Sequence, residues 1–260
     1  MHKKDSDGRE RINRARLTGK DGDAGRLLSQ LSGRQQQMDS RIQNINISKQ
    51  RTTNFLLTGS TSKRNLLIES DALQLPLGQY RTLNTPPLRM AAGDRIAITG
   101  ANGLGKSTLL HAIHPNVPEQ RLIFLPQEIS SEQSRATLLE IKALPKQALG
   151  KLMTIVSCLG SDPKSVLASK LPSPGEIRKL MLALGMSKEP WLIIMDEPTN
   201  HLDLPSIEAL EAALQDCPFG LLLVSHDENF LGTLVDTYWH LSEAEDGSGS
   251  ILEIKSPAKH

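Results

Sequence analysis

The sequence predicts an α/β fold: a parallel-sheet core carrying a helical insertion, preceded by a helical segment of different character. Three observations carry that prediction. From Arg95 onward short apolar runs alternate with helical segments, whereas Gln127 to Leu171 holds helical pattern and no strand signal. Apolar runs buried on both faces and separated by helices mark a parallel sheet. Charge divides the 260 residues as well. Residues 1–70 carry 14 Lys and Arg against 7 Asp and Glu, and the remainder carries 16 against 22.

Residues 1–62 are rich in Arg, Gln, Ser and Asp. Ala24, Leu28, Leu31, Gln35, Met38, Ile42 and Ile45 recur at alternating spacings of four and three, the seam of a helix that packs on another helix. A shorter helix is expected over roughly Ser6 to Leu17, with Gly19-Lys20-Asp21-Gly22 between the two. Such a helix needs a partner: the first helix, the main domain, or something outside the chain. Its basic charge fits either a polyanionic partner or a solvated helix face.

Thr52 to Lys63 reads as a linker, and the main domain is expected over 63–255, with a tail at 256–260. Short strands are expected at Leu66–Glu69 and over Leu83–Met90, where Pro86 and Pro87 intervene. The strands of the sheet are expected at Ile96–Thr99, Leu122–Leu125, Trp191–Met195 and Leu221–Val224, with a last one at Ile251–Lys255. Helices are expected at Lys106–Ala112 and, in the insertion, around Ala136–Ala143, Lys146–Cys158 and Lys164–Ala168. The composition is 38% hydrophobic but only 3% aromatic, so the core is aliphatic. No run approaches the ~20 apolar residues of a membrane helix. Cys158 and Cys217 lie in apolar segments without metal spacing and read as reduced thiols of a cytoplasmic protein.

The chemistry sits at strand ends. Gly100-Ala101-Asn102-Gly103-Leu104-Gly105-Lys106-Ser107, followed by Thr108, fits G-x-x-x-x-G-K-[ST] between a strand and a helix. Glycines let such a loop turn successive N–H groups toward phosphate oxygens. Lys106 then meets the β- and γ-phosphates and Ser107 ligates Mg²⁺. The run Trp191 to Met195 ends in Asp196 and Glu197. Asp196 is the metal anchor and Glu197 the group that polarises the attacking water, the two roles that phosphoryl transfer needs. Leu221 to Val224 ends in Ser225-His226-Asp227, which places His226 near a γ-phosphate. Either of the last two strings by itself is an ordinary strand exit; their order after the phosphate loop gives them weight.

Together these strings resemble the ATP-binding-cassette (ABC) ATPases, a P-loop NTPase family whose cassette adds an antiparallel β part and a helical subdomain, here about 128–186. Phe124-Leu-Pro-Gln127-Glu128 is similar to the family's Q-loop, which implies that Gln127 touches Mg²⁺ and the water. Ser173-Pro-Gly175-Glu176 resembles the signature motif, which implies that Ser173 and Gly175 meet a partner cassette's ATP. Asn200-His-Leu-Asp203 resembles the D-loop. Pro172 and Pro174 stand where the signature carries Leu and Gly, and Pro174 removes one N–H donor. Tyr80 is the candidate for the aromatic that stacks on adenine, or else a packed strand residue.

Asp196-Glu-Pro-Thr-Asn-His-Leu-Asp203 and Ser225-His-Asp-Glu-Asn-Phe-Leu231 resemble the wording of the soluble F branch (ABC-F), many of whose members bind the ribosome and act in translation or antibiotic protection. The resemblance implies an Mg²⁺-dependent ATPase and a second cassette as partner, either another copy or a split N-terminal half. It likens 1–62 to the end of an inter-cassette linker that meets ribosomal RNA, so that the chain is expected to equal a C-terminal half. A soluble ATPase subunit of a transporter, a nucleotide-dependent RNA- or ribosome-binding module with little turnover, and an inert ATP-binding fragment are the alternatives.

Overall fold

The computed structural model describes residues 66–256 apart from 170, 171 and 216, with nothing said of the Leu167 side chain. The linker and seam expected over 1–62, and the tail after Ser256, lie outside the described residues.

Ten strands and seven helices follow in order among the described residues: β1 (Leu66–Ser70), β2 (Leu73–Leu77), β3 (Arg81–Thr85), β4 (Leu88–Ala91), β5 (Arg95–Thr99), α1 (Lys106–Ala112), β6 (Leu122–Leu125), α2 (Ser131–Ala143), α3 (Lys146–Cys158), α4 (Pro163–Ala168), α5 (Pro174–Met186), β7 (Leu192–Asp196), α6 (Leu204–Gln215), β8 (Gly220–Val224), α7 (Glu228–Leu234), β9 (Thr237–Glu243) and β10 (Gly249–Lys255). The run expected over Leu83–Met90, broken at Pro86-Pro87, is two strands, and they serve different sheets. β4 pairs antiparallel with β1, whereas β3 belongs to an eight-stranded sheet of order β2-β3-β10-β9-β5-β8-β7-β6.

The sheet is parallel from β6 to β9. β10 then runs antiparallel to β9, and β2 antiparallel to β3. Alternation along the central strands builds two cores. Ala97, Ile193, Met195, Leu221 and Leu223 face one, under the insertion helices and α5 to α7. Ile96, Ile98, Leu192, Ile194, Leu222 and Val224 face the other, with α1, β1 and β4. Every residue of β7 and β8 is buried, which is why their sequences are apolar throughout apart from Asp196, which closes β7. Cys217 is buried and its thiol is pushed up to about 11 by that burial, with Arg95 acting against it; Cys158 is half-buried, and both are free thiols.

The topology positions the chemistry. β5 lies between β8 and β9, with β7 next to β8 and β6 outside β7. These strands are parallel, so the loops after β5, β6, β7 and β8 all leave the same edge of the sheet. A crevice at the carboxyl ends of such strands is the usual ligand position in an open α/β sheet.

Candidate active site

The phosphate loop is fixed by close backbone approaches. Gly100 has φ of 136°, and a Cβ there would come within 2.5 Å of the Leu241 carbonyl oxygen. Gly105 caps α1 with φ of 97°, and a Cβ there would meet Leu77 Cδ2 at 2.7 Å. Side chains rarely adopt such φ values, so glycine is required at both places. Leu104 between them is 4% exposed and anchors the loop in the core. Lys106 is buried, and its Nζ donates to the carbonyls of Gly100 (2.9 Å) and Ala101 (3.2 Å) and reaches Asn102 Oδ1 at 3.4 Å. Burial lowers its pKa, and the charges of Glu197 and Asp196 act in the opposite sense.

The two carboxylates differ. Asp196 closes β7, and Ser107 Oγ donates to its Oδ2 at 3.1 Å. Glu197 leaves the strand with φ of 49°, a left-handed conformation costing about 1–3 kcal/mol in a non-glycine residue. Its backbone is held on three sides: its N–H donates to Val224 O at 2.8 Å, and its carbonyl accepts from Asn200 N at 3.2 Å and Arg178 Nη1 at 3.2 Å. The side chain is buried, yet Oε1 has no hydrogen-bond partner. Burial raises the Glu197 pKa, opposed chiefly by His226, whose Nε2 lies 3.6 Å from Oε1. Strained backbone and unpartnered buried polar atoms cluster at functional sites, and Glu197 combines the two, which makes it a candidate for the chemistry.

His226 Nε2 lies 2.9 Å from Asn102 Oδ1 and 3.2 Å from Lys106 Nζ. It serves the first as a donor or the second as an acceptor, according to tautomer. Asp227 beside it is spent on capping α7, accepting from Phe230 N at 3.1 Å.

A cavity of about 740 Å³ joins these groups. Asn102, Gly103, Gly105, Lys106, Ser107, Thr108, Gln127, Asp196, Glu197 and His226 all line it, as the sequence predicts. Gly100 and Ala101 line a second hollow on the other side of the loop, toward β9 and β10. Tyr80 is 90% exposed and does not line the cavity, although Gly78 and Arg81 on either side of it do. The reading of Tyr80 as a packed strand residue is thereby corrected: it sits in an open turn between β2 and β3.

The signature residues lie outside this lining. Ser173 caps α5: Glu176 N donates to Ser173 Oγ at 3.2 Å, and Ser173 N donates to Glu176 Oε2 at 2.8 Å. Pro174 takes the first helical position, where its missing N–H costs the helix nothing. Gly175 is buried against the D-loop, where a Cβ would meet His201 O at 2.7 Å. Asp203 precedes α6 and accepts from Ser206 N at 3.2 Å, and its pKa is lowered, chiefly by hydrogen bonding with the Ser206 side chain.

Sequence reasoning missed Leu77, Gly78, Arg81 and Asn200 among the lining, and Arg178 beneath it. Arg178 leaves a signal in hindsight: a charge on the buried side of a helix whose neighbours Ile177 and Leu180 are core residues. Leu77, Gly78 and Arg81 leave none, because they are brought in at the turn after a Pro-containing edge strand, whereas Asn200 opens the Asn200–Asp203 string and was not assigned to the cavity.

Comparison with known proteins agrees with this geometry. The ABC transporter family profile matches residues 83–165. The erythromycin resistance ATP-binding protein MsrA of Staphylococcus epidermidis is 30% identical over 185 residues, covering 68% of this chain and 38% of MsrA. The ribosome protection protein VmlR of Bacillus subtilis is 30% identical over 226 residues, covering 80% of this chain and 41% of VmlR. The chain thus spans about two fifths of the length of these curated relatives. The archaeal ribosome recycling factor aABCE1, solved with ribosomal stalk protein aP1, shares the fold with a TM-score of 0.55 at 19% identity, over 76% of this chain and 41% of that one. Among the described residues no helix is long and apolar enough to cross a membrane. On strand order, motif geometry and these relatives together, the chain carries an ATP-binding cassette of the ABC family, of ABC-F-like type.

Proposed function

We propose that the chain binds ATP with Mg²⁺ at the Lys106 loop and hydrolyses it, as one cassette of a pair. The observation that carries this reading is Glu197: a buried carboxylate with an unpartnered oxygen, beside Asp196 in the lining of the cavity that also holds the phosphate loop. Lys106 and the loop amides take the β- and γ-phosphates. Glu197 Oε1 orients the attacking water and accepts its proton, which its raised pKa favours. His226, steadied by Asn102, meets the γ-phosphate.

The donor set suits Mg²⁺. The described residues hold no group of three or more His, Cys, Asp or Glu able to bind a metal. Mg²⁺ commonly takes one or two carboxylates plus substrate phosphates and waters, and Ser107, Asp196 and Gln127 in the cavity lining would supply a hydroxyl, a carboxylate and an amide. Bound there, the ion neutralises charge on the phosphates and their transition state.

A second cassette, either another copy or an N-terminal half, completes the site through its signature residues, and Ser173, Gly175 and Asp203 of this chain serve the partner's nucleotide. The whole protein acts on the ribosome in the cytoplasm, with basic residues 1–62 toward RNA. Relatives named for ribosome protection and erythromycin resistance support this reading. ATP titration of the chain against Lys106→Ala tests it. Loss of one charged phosphate contact weakens binding by roughly 1.5–3 kcal/mol, about 10- to 150-fold. Equal affinity in the two proteins contradicts it.

A further inference from the structure

Arg178 is 4% exposed, a charge enclosed in the fold. No carboxylate oxygen meets it in an ion pair among the described residues. Instead its fork spans three backbone carbonyls, one from the segment after β6 and two from the end of β7 and the residue past it. Nη2 donates to Gln127 O at 2.7 Å, and Nη1 reaches Glu197 O at 3.2 Å and Asp196 O at 3.4 Å. Burial lowers the pKa of the guanidinium, and the charges of Asp196 and Glu197 act in the opposite sense. Burying a guanidinium costs several kcal/mol unless its donors are met, so a neutral side chain would be the simpler choice for core packing alone.

The geometry places Arg178 at a junction. It stands on α5, five residues after the cap Ser173, or about 7.5 Å along the axis. The next residue, Lys179, donates to Ser206 Oγ at 2.6 Å on α6. The segment after β6 carrying Gln127 and the end of β7, Asp196, with Glu197 just past it, are not hydrogen-bonded to one another by any ladder beyond Leu125 and Met195. Arg178 is the bridge past that point. It also meets the carbonyl of the residue whose φ is left-handed, where a fixed partner is needed to hold the strained conformation.

We propose that Arg178 is a positioning residue for the Mg²⁺-nucleotide complex: its guanidinium clamps the carbonyls of Gln127, Asp196 and Glu197, and so sets the spacing of the Gln127 amide and the Asp196 carboxylate across the metal end of the cavity. The inference rests on the MgATP reading above. It predicts a selective defect. Contacts to the phosphates come from the loop after β5 and from His226, neither of which Arg178 bonds, so metal-free ATP binding is independent of it. The added affinity that Mg²⁺ gives is not.

The test is a titration of the full chain with a fluorescent ATP analogue, with and without Mg²⁺, alongside thermal unfolding. Arg178→Met is expected to bind metal-free nucleotide within about threefold of the parent and to lose at least about tenfold of the Mg²⁺-dependent gain, the scale seen when groups that orient metal ligands are removed. Arg178→Lys, which keeps the charge but not the planar fork, is expected to recover part of it. A merely structural role would lower the unfolding temperature and leave the Mg²⁺ gain of the folded protein at the parental value, and that result overturns the proposal. Should Arg178→Met not fold, Arg178→Lys decides alone: a reduced gain supports the clamp and a parental gain overturns it. A parent that binds no nucleotide at all contradicts the MgATP reading instead.

Discussion

The loop after β5 and the start of α5 are both phosphate-facing motifs by sequence, but they are built in opposite ways. At the loop end of the sheet, groups are left open. α1 has no side-chain cap, Glu197 Oε1 has no partner, and Glu197 is held in a strained φ. At α5 everything is met from within: Ser173 and Glu176 close a capping box, Pro174 contributes no N–H, and Gly175 is pressed against His201. An unsatisfied buried group carries a cost that a ligand can relieve, whereas a capped helix start has little to gain until a partner competes for the cap. On the function proposed above, the first region binds nucleotide in the single chain, and the second serves a partner cassette's nucleotide.

Substitutions sharpen that contrast. Asp196→Asn removes a charge from the metal end and is expected to raise the Mg²⁺ needed for half-maximal nucleotide binding by roughly 10- to 100-fold or more, a range set by losses at less direct positions. Nucleotide titrations at stepped Mg²⁺ measure it. Gly175→Ala forces a Cβ toward a backbone oxygen 2.7 Å away, and overpacking of this kind costs about 1–3 kcal/mol. Denaturant unfolding is expected to show that loss while ATP affinity of the single chain stays at the parental value. Ser173→Ala gives up a cap worth about 1 kcal/mol, again without changing that affinity. If either α5 variant weakened ATP binding by the isolated chain as strongly as Lys106→Ala does, the division between the two regions would be wrong.

Much of this was readable from residues, and the physical reason differs from place to place. β7 and β8 were legible because both of their faces are buried, so sequence and environment are uniform. β9 was missed: Trp239 and Leu241 are buried but alternate with half-buried Tyr238, His240 and Ser242 in a seven-residue run that has no glycine or proline punctuation. β2 was missed because Pro76 argues against a strand, and it is tolerated here at the sheet's edge. The lining from Asn102 to Thr108 was legible because one loop supplies all of it. Arg178 was not, since its importance lies in carbonyls 18 to 51 residues away, and backbone acceptors leave no mark in a sequence. The Ser173 cap shows the reverse limit: the motif was visible, but that its hydroxyl is engaged within its own helix required coordinates.

The central claim is that Glu197 orients the water that attacks bound ATP. Its most direct test compares phosphate release by the chain and by Glu197→Gln, paired with whatever second cassette supports turnover, while bound nucleotide is measured in both. Loss of a positioned general base lowers turnover by about 10²- to 10⁴-fold. The account predicts that loss with ATP still bound intact at near-parental affinity; turnover at the parental rate in Glu197→Gln would contradict it.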